Sequence, residues 1–413
     1  MRSPAPGFGI RKLHISRTHC AKGFTSVLIV QIANLVHQTS GGIARTMTEL
    51  RNEYRALGHQ VVVITPSDQF SDLTDETGVR RIQFKAPKIL GWGGYRLIWR
   101  RRQLKKLLIQ IVPDIIENHD QTTLWWLGDF AQKIGARNFV FSHESLSQLL
   151  MNHLKNSWLA NRLADNHHRR IARGTHNFLC ASNFAALELE RIGVDPIRIS
   201  LGVDHTQFGS THEIRSHAHQ FHSRNHTVAL VGRLSPEKNP QLAIEAMRKI
   251  CEQRKDIQLV VIGDGPLRQR LVEQSLDLPI TFLGHVADRE FIASILRMSF
   301  CTLNLGDRET FSLSTLESLA SGTPAIVAKS GASREILATG CGVSTSLTPI
   351  CIADAIESML LQDQKTVQVR CRERASQFTW EKTANTLLQN YQNGEFAHHE
   401  KVSHDTFAFG QVA

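Results

Sequence analysis

The sequence lacks several patterns that would assign it at once to a class of protein. It has no Cys-x-x-Cys pair, no Asp-x-Asp and no His-Glu-x-x-His, so neither a zinc site nor a metal-bound diphosphate site is indicated. Its apolar runs are well short of the ~20 residues that a membrane-spanning helix requires. The first 26 residues contain neither an acidic residue nor the apolar core of a secretion signal. We interpret residues 1–26 as a loose basic leader or as the product of an upstream start codon.

Cysteine is sparse, and its count is odd. None of the seven cysteines has the spacing of a redox or metal pair, and several lie in apolar runs. Unpaired thiols of this kind are typical of a reducing compartment. We therefore expect a cytoplasmic protein with reduced, buried cysteines, no metal and no other cofactor.

The composition has a surplus of positive charge. The 413 residues include 48 Lys and Arg against 38 Asp and Glu, a formal net charge of +10. Such a surplus favours a polyanionic partner, which can be a nucleotide phosphate, an anionic membrane or nucleic acid. With 41% hydrophobic and 21% charged residues, the chain has a globular balance, and its length suits two domains.

The chain consists of two α/β halves. The first begins with the apolar run 27–33, followed by Gly41 and Gly42, a helical pattern at 43–57 and a second apolar run at 61–64. This is a βαβ unit without the Gly-x-Gly-x-x-Gly pattern of dinucleotide binding. Two glycines at a helix start fit a plain tight turn as well as they fit contact with phosphate.

A loop at the start of the second half carries two basic residues. The apolar run 228–231 predicts a strand, and Gly232, Arg233 and Lys238 follow it before a helical pattern at 242–251. A guanidinium offers a planar fork for phosphate oxygens, and an ammonium offers a mobile point charge. One solubilising residue in an ordinary turn is the alternative, but two such residues favour a phosphate clamp.

The stretch 309–317 has a carboxylate at each end. An apolar run at 299–303 precedes Glu309, and Glu317 lies at the start of the helical pattern that follows. In open α/β sheets, ligands bind at the carboxyl ends of the strands, and a helix start suits an anion. The alternative is structural, because Ser314 and Glu317 fit a capping box and Glu309 fits a solvated loop carboxylate.

Two histidines follow predicted strands of the first half. His119 comes shortly after the run 114–117, and His143 comes shortly after the run 137–141. Both should lie at strand carboxyl ends, where a cleft opens. A single histidine there is usually structural, but two such histidines beside Glu144 favour a site.

The most cationic segment is predicted to be helical from residue 95 to residue 111. At about 100° per residue, Leu97, Leu104, Leu108 and Ile111 share one face. A helix that packs on the sheet with a solvated basic side explains this pattern; contact with an anionic lipid surface is the sharper hypothesis. The residues then expected at the membrane are Arg96, Trp99, Arg100, Arg101 and Lys105. We see no nucleic-acid-binding motif and do not expect a nucleic-acid partner.

Together these motifs resemble the retaining family 4 glycosyltransferases over about residues 27–391. The paired acids Glu309 and Glu317, followed by Ala-Ser-Gly-Thr-Pro at 320–324, resemble the donor-site signature of the family. The loop at 232–239 resembles its diphosphate clamp. The chain departs from the family at Ser312, where glycine is usual, and at Leu201, where asparagine is common.

The resemblance implies an α/β architecture of the GT-B type, with two facing doubly wound Rossmann-like domains and a cleft between them. The expected parts are a leader (1–26), an N-terminal acceptor-binding domain (27–204), a linker (205–225), a C-terminal nucleotide-sugar-binding domain (226–380), a helix that crosses back (381–393) and a tail (394–413).

The resemblance also implies roles for single residues. The catalytic group would be His143, Arg233, Lys238 and Glu309, in which the two cations stabilise the leaving diphosphate without a metal. The residues implied to bind the donor are Gly41, Gly42, Arg233, Lys238, Val286, Glu309, Phe311, Ser312, Leu313 and Glu317.

Within the family, residues 93–96, 142–144 and 378–380 look most similar to the actinobacterial phosphatidylinositol mannoside mannosyltransferases. This implies transfer of mannose from GDP-mannose to an inositol glycolipid, on the inner face of the cell membrane. The implied partners are a nucleotide-diphosphate sugar, a lipid or glycan acceptor and an anionic membrane surface. Two alternatives stay open: a transferase that uses a UDP-sugar with another acceptor, and a non-catalytic glycan- or lipid-binding scaffold.

Overall fold

A computed structural model describes residues 26–34, 36, 41–89, 95–209 and 226–392. The expected leader (except its last residue), most of the linker and the whole tail lie outside these ranges. So do Cys20 and the first two residues of the 93–96 motif.

The first half forms an eight-stranded sheet in the order β3-β4-β2-β1-β5-β6-β7-β8. Its strands are β1 (Leu28–Ile32), β2 (Gln60–Ser67), β3 (Ser71–Thr74), β4 (Arg80–Lys85), β5 (Ile115–Asn118), β6 (Arg137–Ser142), β7 (Phe178–Cys180) and β8 (Ile197–Arg198). All neighbouring strands are parallel except β3 and β4. The helices are α1 (Gly42–Ala56), α2 (Arg101–Ile111), α3 (Leu127–Lys133), α4 (Leu146–Leu154), α5 (Ser157–Ala172), α6 (Asn183–Glu190) and α7 (His205–Phe208).

The second half forms a six-stranded parallel sheet in the order β11-β10-β9-β12-β13-β14. Its strands are β9 (His226–Val231), β10 (Ile257–Ile262), β11 (Ile280–Gly284), β12 (Cys301–Asn304), β13 (Ala325–Ala328) and β14 (Gly342–Thr345). The helices are α8 (Pro240–Gln253), α9 (Arg268–Gln274), α10 (Arg289–Met298), α11 (Leu313–Ala320), α12 (Ser333–Ile336), α13 (Pro349–Leu360), α14 (Gln364–Ala375) and α15 (Trp380–Gln392).

The central strands of both sheets are buried on both faces. Every residue of β1 and of β10 is buried, which explains why their sequences are almost uninterrupted runs of Val, Ile and Leu. Such runs are typical of parallel strands covered by helices on each side. The predicted architecture of two Rossmann-like α/β units is therefore confirmed.

The helix predicted over residues 95–111 is wrong at its beginning, because it starts only at Arg101. Two tertiary hydrogen bonds hold the preceding segment extended. The Ile98 amide donates to Asn34 Oδ1 at 2.9 Å, and Arg96 Nη1 donates to the Ala86 carbonyl at 2.7 Å. The apolar face of the helix is Leu104, Leu107, Leu108 and Ile111, all buried, while Leu97 precedes the helix.

Helix α15 belongs to the second half in sequence but packs against α1 and the core of the first sheet. The crossing requires a close backbone approach at Gly202, where an added Cβ would lie 2.2 Å from the Trp380 amide nitrogen. One residue later, the Val203 amide donates to the Phe378 carbonyl at 3.2 Å. The boundaries drawn for the domains from the sequence stay predictions.

Candidate active site

The two cationic candidates lie in the loop that follows β9, and one of them meets an acidic candidate from the loop after β12. Lys238 closes a short 3-10 turn (Pro236–Lys238), and its ammonium forms an ion pair with Oε1 of Glu309. Asn239, in the left-handed region at φ 49°, donates to the Leu305 carbonyl at 3.0 Å and joins the two loops. The candidates for diphosphate and for sugar binding are therefore adjacent.

Arg233 is held by the backbone of its loop. Gly263 adopts φ +145°, and an added Cβ would lie 1.8 Å from the Gly232 carbonyl oxygen, so the two loops meet only because this residue is glycine. The Arg233 side chain is exposed, and its guanidinium has no hydrogen-bond or ion-pair partner within the described ranges. It is therefore available to an anion.

Glu144 lies in the field of Arg233, although the two residues belong to different sheets. Partial desolvation raises the pKa of Glu144, although the residue keeps access to solvent, and the nearby carboxylates of Asp120 and Glu237 add to this rise. The Arg233 charge acts in the opposite direction. Arg233 and the loop after β6 therefore face one cleft.

The structure corrects the predicted helix start near Glu317. Ser312, not Ser314, is the N-cap of α11, and its Oγ accepts from the Thr315 amide at 3.4 Å. Glu317 therefore lies in the second turn, and it does not close a capping box. Its Oε1 instead accepts a hydrogen bond from Arg289 Nη2 at 2.5 Å.

Arg289, at the start of α10, is a site residue that the sequence reading missed. Besides Glu317, it donates to Gln207 Oε1 at 3.0 Å, and its guanidinium lies 4.9 Å from the centre of the Phe208 ring. Gln207 and Phe208, which precede the second sheet, thus orient Arg289, and Arg289 in turn holds the Glu317 carboxylate. No local pattern around Arg289 distinguishes it from a solvated basic residue.

Ser312 occupies the place where glycine is usual in the resembling family without intruding into the cleft. Its side chain is buried, and its Oγ also accepts from Asn304 Nδ2 at 2.6 Å. The hydroxyl thus serves the fold. Phe311 and Leu313, on either side of Ser312, are half-buried.

The remaining donor-binding candidates lie at loop ends. Gly41 and Gly42 begin α1 and are exposed, and an added Cβ on either would meet nothing within 4 Å. Ile43, the next residue, lines a small cavity together with His143 and Glu144. Val286 follows β11 and packs half-buried against the core of the second sheet.

The two histidines of the first sheet are joined, as their positions at strand ends predicted. His119 Nδ1 lies 2.8 Å from His143 Nε2, and His119 Nε2 lies 3.1 Å from Oε2 of the fully buried Glu117. Burial lowers the pKa of His143 well below its usual range, and its neighbour His119 acts in the same direction. His143 is therefore neutral at physiological pH.

The loop that carries Glu309 is docked on the loop that carries His143. Thr310 Oγ1 donates to the His143 carbonyl, and Ser182 Oγ donates to the Thr310 carbonyl at 2.6 Å. Phe311 packs against the cores of both halves. The structure thus brings the acid of the second sheet and the histidine of the first to one cleft.

The residues expected at a membrane differ in their exposure to solvent. Trp99 is 61% exposed, and Arg100 and Arg101 are exposed beside it. Arg96 and Lys105 are half-buried: Arg96 binds a backbone carbonyl, and the Lys105 ammonium lies 5.1 Å from the centre of the Trp126 ring. Only the first three form an open surface.

The described residues contain neither a metal-binding cluster nor a membrane-spanning helix. No group of three or more His, Cys, Asp or Glu side chains in these ranges is placed to hold a metal ion. None of the helices that the structure describes combines the length and the apolar character needed to cross a bilayer. The expectation that the reaction needs no metal or other cofactor stays a prediction.

Comparison with known proteins identifies related families and chains. The Glycosyltransferase Family 4 model matches residues 40–207, and the model Glycosyl transferases group 1 matches residues 213–378. A GDP-mannose-dependent alpha-(1-6)-phosphatidylinositol dimannoside mannosyltransferase of Mycobacterium tuberculosis is 34% identical over 363 residues, which are 87% of this chain and 94% of that protein. A phosphatidyl-myo-inositol mannosyltransferase of Mycobacterium leprae is 23% identical over 382 residues, 85% of this chain and 93% of that protein.

Solved structures share the fold. HepE of Anabaena, in complex with UDP and glucose, matches 89% of this chain and 100% of its own with a TM-score of 0.70 and 18% identity. Sucrose-phosphate synthase of Thermosynechococcus elongatus matches 89% and 98% with a TM-score of 0.70 and 19% identity. These similarities confirm the predicted GT-B fold.

Proposed function

The chain belongs to the family 4 glycosyltransferases, and on that premise we propose that it transfers mannose from GDP-mannose to a phosphatidylinositol mannoside-type glycolipid, with retention of anomeric configuration. The chain is a hexosyltransferase. The relative from Mycobacterium tuberculosis, matched over 94% of its length, supports the choice of donor and acceptor.

One structural observation carries the assignment of the site: Lys238 and Glu309 are paired, and the exposed Arg233 lies in the same loop as Lys238. When the bond from the sugar to the diphosphate breaks, negative charge grows on the leaving phosphate oxygen. Arg233, Lys238 and the amides at the start of α11 are preorganised donors for that charge. Glu309, beside Lys238, is then placed for the hydroxyls of the sugar.

Glu317 is the candidate for the ribose hydroxyls of the nucleotide. Arg289 holds Oε1 of this carboxylate, and the side chain as a whole remains 13% exposed. A carboxylate fixed in this way needs no reorganisation to accept a hydrogen bond.

The docked loops supply the enclosure that transfer requires. Thr310 binds the His143 carbonyl, and Phe311 fills the space between the two cores. Exclusion of water matters here because hydrolysis of the donor competes with transfer to the acceptor.

We further propose that the open basic surface at the start of α2, formed by Trp99, Arg100 and Arg101, binds the anionic face of a membrane. Arg101 lies 4.9 Å from the centre of the Trp125 ring, and Arg170 of α5 lies 3.4 Å from the same ring centre. The basic surface therefore continues from α2 to α5, with exposed Trp99 at its edge. Each basic residue near an anionic leaflet contributes about 1 kcal/mol.

Co-sedimentation with vesicles tests the membrane proposal. We expect binding to phosphatidylcholine vesicles that contain phosphatidylinositol, and little binding to phosphatidylcholine alone. Arg100→Glu with Arg101→Glu should abolish the difference, while Lys249→Glu, an exposed change in the second half, should preserve it. Equal, negligible binding to both vesicles by the unaltered chain contradicts the proposal.

A donor screen tests the enzymatic proposal. The purified chain is incubated with a phosphatidylinositol mannoside and either GDP-mannose or UDP-glucose, and the mass of the glycolipid product is measured by mass spectrometry. We expect a gain of one hexose with GDP-mannose and its loss in Glu309→Gln. Preference for UDP-glucose would overturn the donor assignment, and the absence of transfer from any donor would favour a binding scaffold.

A further inference from the structure

A chain of buried polar side chains leads from α15 to the candidate site. The Tyr391 hydroxyl donates to Glu117 Oε1 at 2.7 Å and lies 3.4 Å from the Tyr54 hydroxyl. Glu117 Oε2 lies 3.1 Å from His119 Nε2, and His119 Nδ1 lies 2.8 Å from His143 Nε2. Two of the three tyrosines in the chain are committed to this one carboxylate and its neighbour.

The surroundings of Glu117 favour its ionised form despite its complete burial. Burial by itself opposes ionisation, but the hydrogen bond from His119, together with the tyrosines, outweighs it and lowers the pKa of Glu117 below the ordinary value. Gln31 Nε2 also donates to Oε2, at 2.9 Å. Burying a carboxylate is costly, so its retention among apolar strands calls for a role that an apolar residue would not fill.

The ring geometry makes the link between the histidines directional. The planes of His119 and His143 differ by 16°, with centroids 5.1 Å apart. With the two nitrogens in contact, this arrangement places the rings nearly edge to edge in one plane, as an in-plane lone pair requires. Phe141 stacks on both rings, at 4.3 Å and 5.3 Å, and prevents them from turning.

The order of donors along the chain then determines the tautomer at its end. An ionised carboxylate only accepts, so His119 Nε2 must carry a proton. A doubly protonated His119 would donate from Nδ1, whereas the neutral ring has an acceptor there, and this acceptor takes its hydrogen bond from His143 Nε2–H. This leaves His143 Nδ1 unprotonated, with no hydrogen-bond partner within the described ranges.

We propose that Glu117 and His119 are positioning residues that fix His143 as its Nε2–H tautomer, so that Nδ1 accepts a hydrogen bond from a hydroxyl of the sugar in the cleft. His143 lines the small cavity with Ile43 and Glu144, which is where such a hydroxyl would enter. The idea rests on the proposed glycosyl transfer, but the tautomer itself is a property of the protein alone.

Nitrogen-15 NMR of histidine-labelled protein measures the tautomer directly. The His143 signals are assigned by their loss in His143→Gln, in protein without donor or acceptor. We expect the Nε2–H pattern for His143 in the unaltered chain. An Nδ1–H pattern overturns the proposal. The NMR spectrum does not depend on turnover, so this result holds for any donor.

Two variants separate positioning from mere support. Glu117→Gln keeps the shape of the side chain but removes the obligatory acceptor, so we expect the Nδ1–H form of His143 to appear and kcat to fall on the order of 10-fold or more, with the KM for the donor nearly unchanged. Tyr391→Phe removes one hydrogen bond to Glu117 but leaves the link to His119, so the tautomer should persist while Tm falls. If Glu117→Gln lowers Tm as Tyr391→Phe does and leaves the tautomer and kcat unchanged, Glu117 is a structural residue and the proposal is wrong.

Discussion

Lys238 and Glu309, 71 residues apart in sequence, form an ion pair between the loops after β9 and β12. Glu309 is the more deeply placed partner, with a side chain 13% exposed against 34% for Lys238. The pair places a cation suited to phosphate next to a carboxylate suited to sugar hydroxyls. A donor that bridges the two would meet both groups in their fixed positions.

Removal of the Lys238 charge should lower kcat strongly. We expect Lys238→Met to reduce kcat by about 10²–10³-fold, because one preorganised donor to the leaving diphosphate is lost. Lys238→Arg should retain part of the activity, since the charge remains. Steady-state transfer to the glycolipid is the measurement, with Lys249→Met on the exposed side of α8 as the control. A change confined to KM would contradict a role in the bond-breaking step.

Removal of Arg289 should weaken donor binding more than it slows the reaction. Without this guanidinium, Glu317 loses the partner at 2.5 Å that orients its carboxylate. We expect Arg289→Ala to raise the KM for the donor about tenfold, a loss of roughly 1.4 kcal/mol, with kcat little changed. Arg254→Ala, which removes an arginine paired with Asp256 away from the cleft, is the matched control. A fall in kcat at unchanged KM would show that Glu317 acts elsewhere.

Of two glycine substitutions, one should affect stability and the other donor binding. Gly202→Ala places a Cβ 2.2 Å from the Trp380 amide, so we expect it to lower the free energy of unfolding by about 1–3 kcal/mol or more. Gly42→Ala meets no protein atom within 4 Å, so Tm should hold, while the KM for the donor rises if phosphate approaches this turn. Thermal melts and donor titrations distinguish the two. A stable Gly202→Ala protein would contradict the close approach of α15.

Acid should destabilise the fold through its buried histidines. Burial lowers the pKa of His168 to about 4 from the ordinary 6.5, and His59 and His143 shift in the same direction. Between these pH values the unfolded chain binds more protons than the folded one. The contribution to stability is therefore complete above pH 6.5 and is lost as the pH falls towards 4.

Urea unfolding at a series of pH values measures this loss. His168→Gln can still donate to Gln121, so it should fold but show a shallower decline below pH 6.5. His285→Gln, at an exposed position, should leave the decline intact. An unchanged slope in His168→Gln would show that His168 is not responsible.

The local patterns of the sequence were sufficient for the framework of the fold. Runs rich in Val, Ile and Leu identified β1, β9 and β10, because a strand buried on both faces is mostly apolar. The loops with Arg233 and Lys238 and with Glu309 were predictable for the same reason, since each follows such a strand. Helix α2 was placed correctly only at its end, because contacts with Asn34 and Ala86, not its own residues, decide where it begins.

The sequence by itself therefore determined two doubly wound sheets and the loops that face the cleft, since strand periodicity and glycine turns are encoded within a few residues. The tertiary structure alone decided which side chains meet. Arg289 reaches Glu317 and Tyr391 reaches Glu117 across 28 and 274 residues, and no local pattern specifies partners so distant. The cause is physical: a hydrogen bond between two elements depends on how helices pack on a sheet, and that packing is settled by the whole core at once.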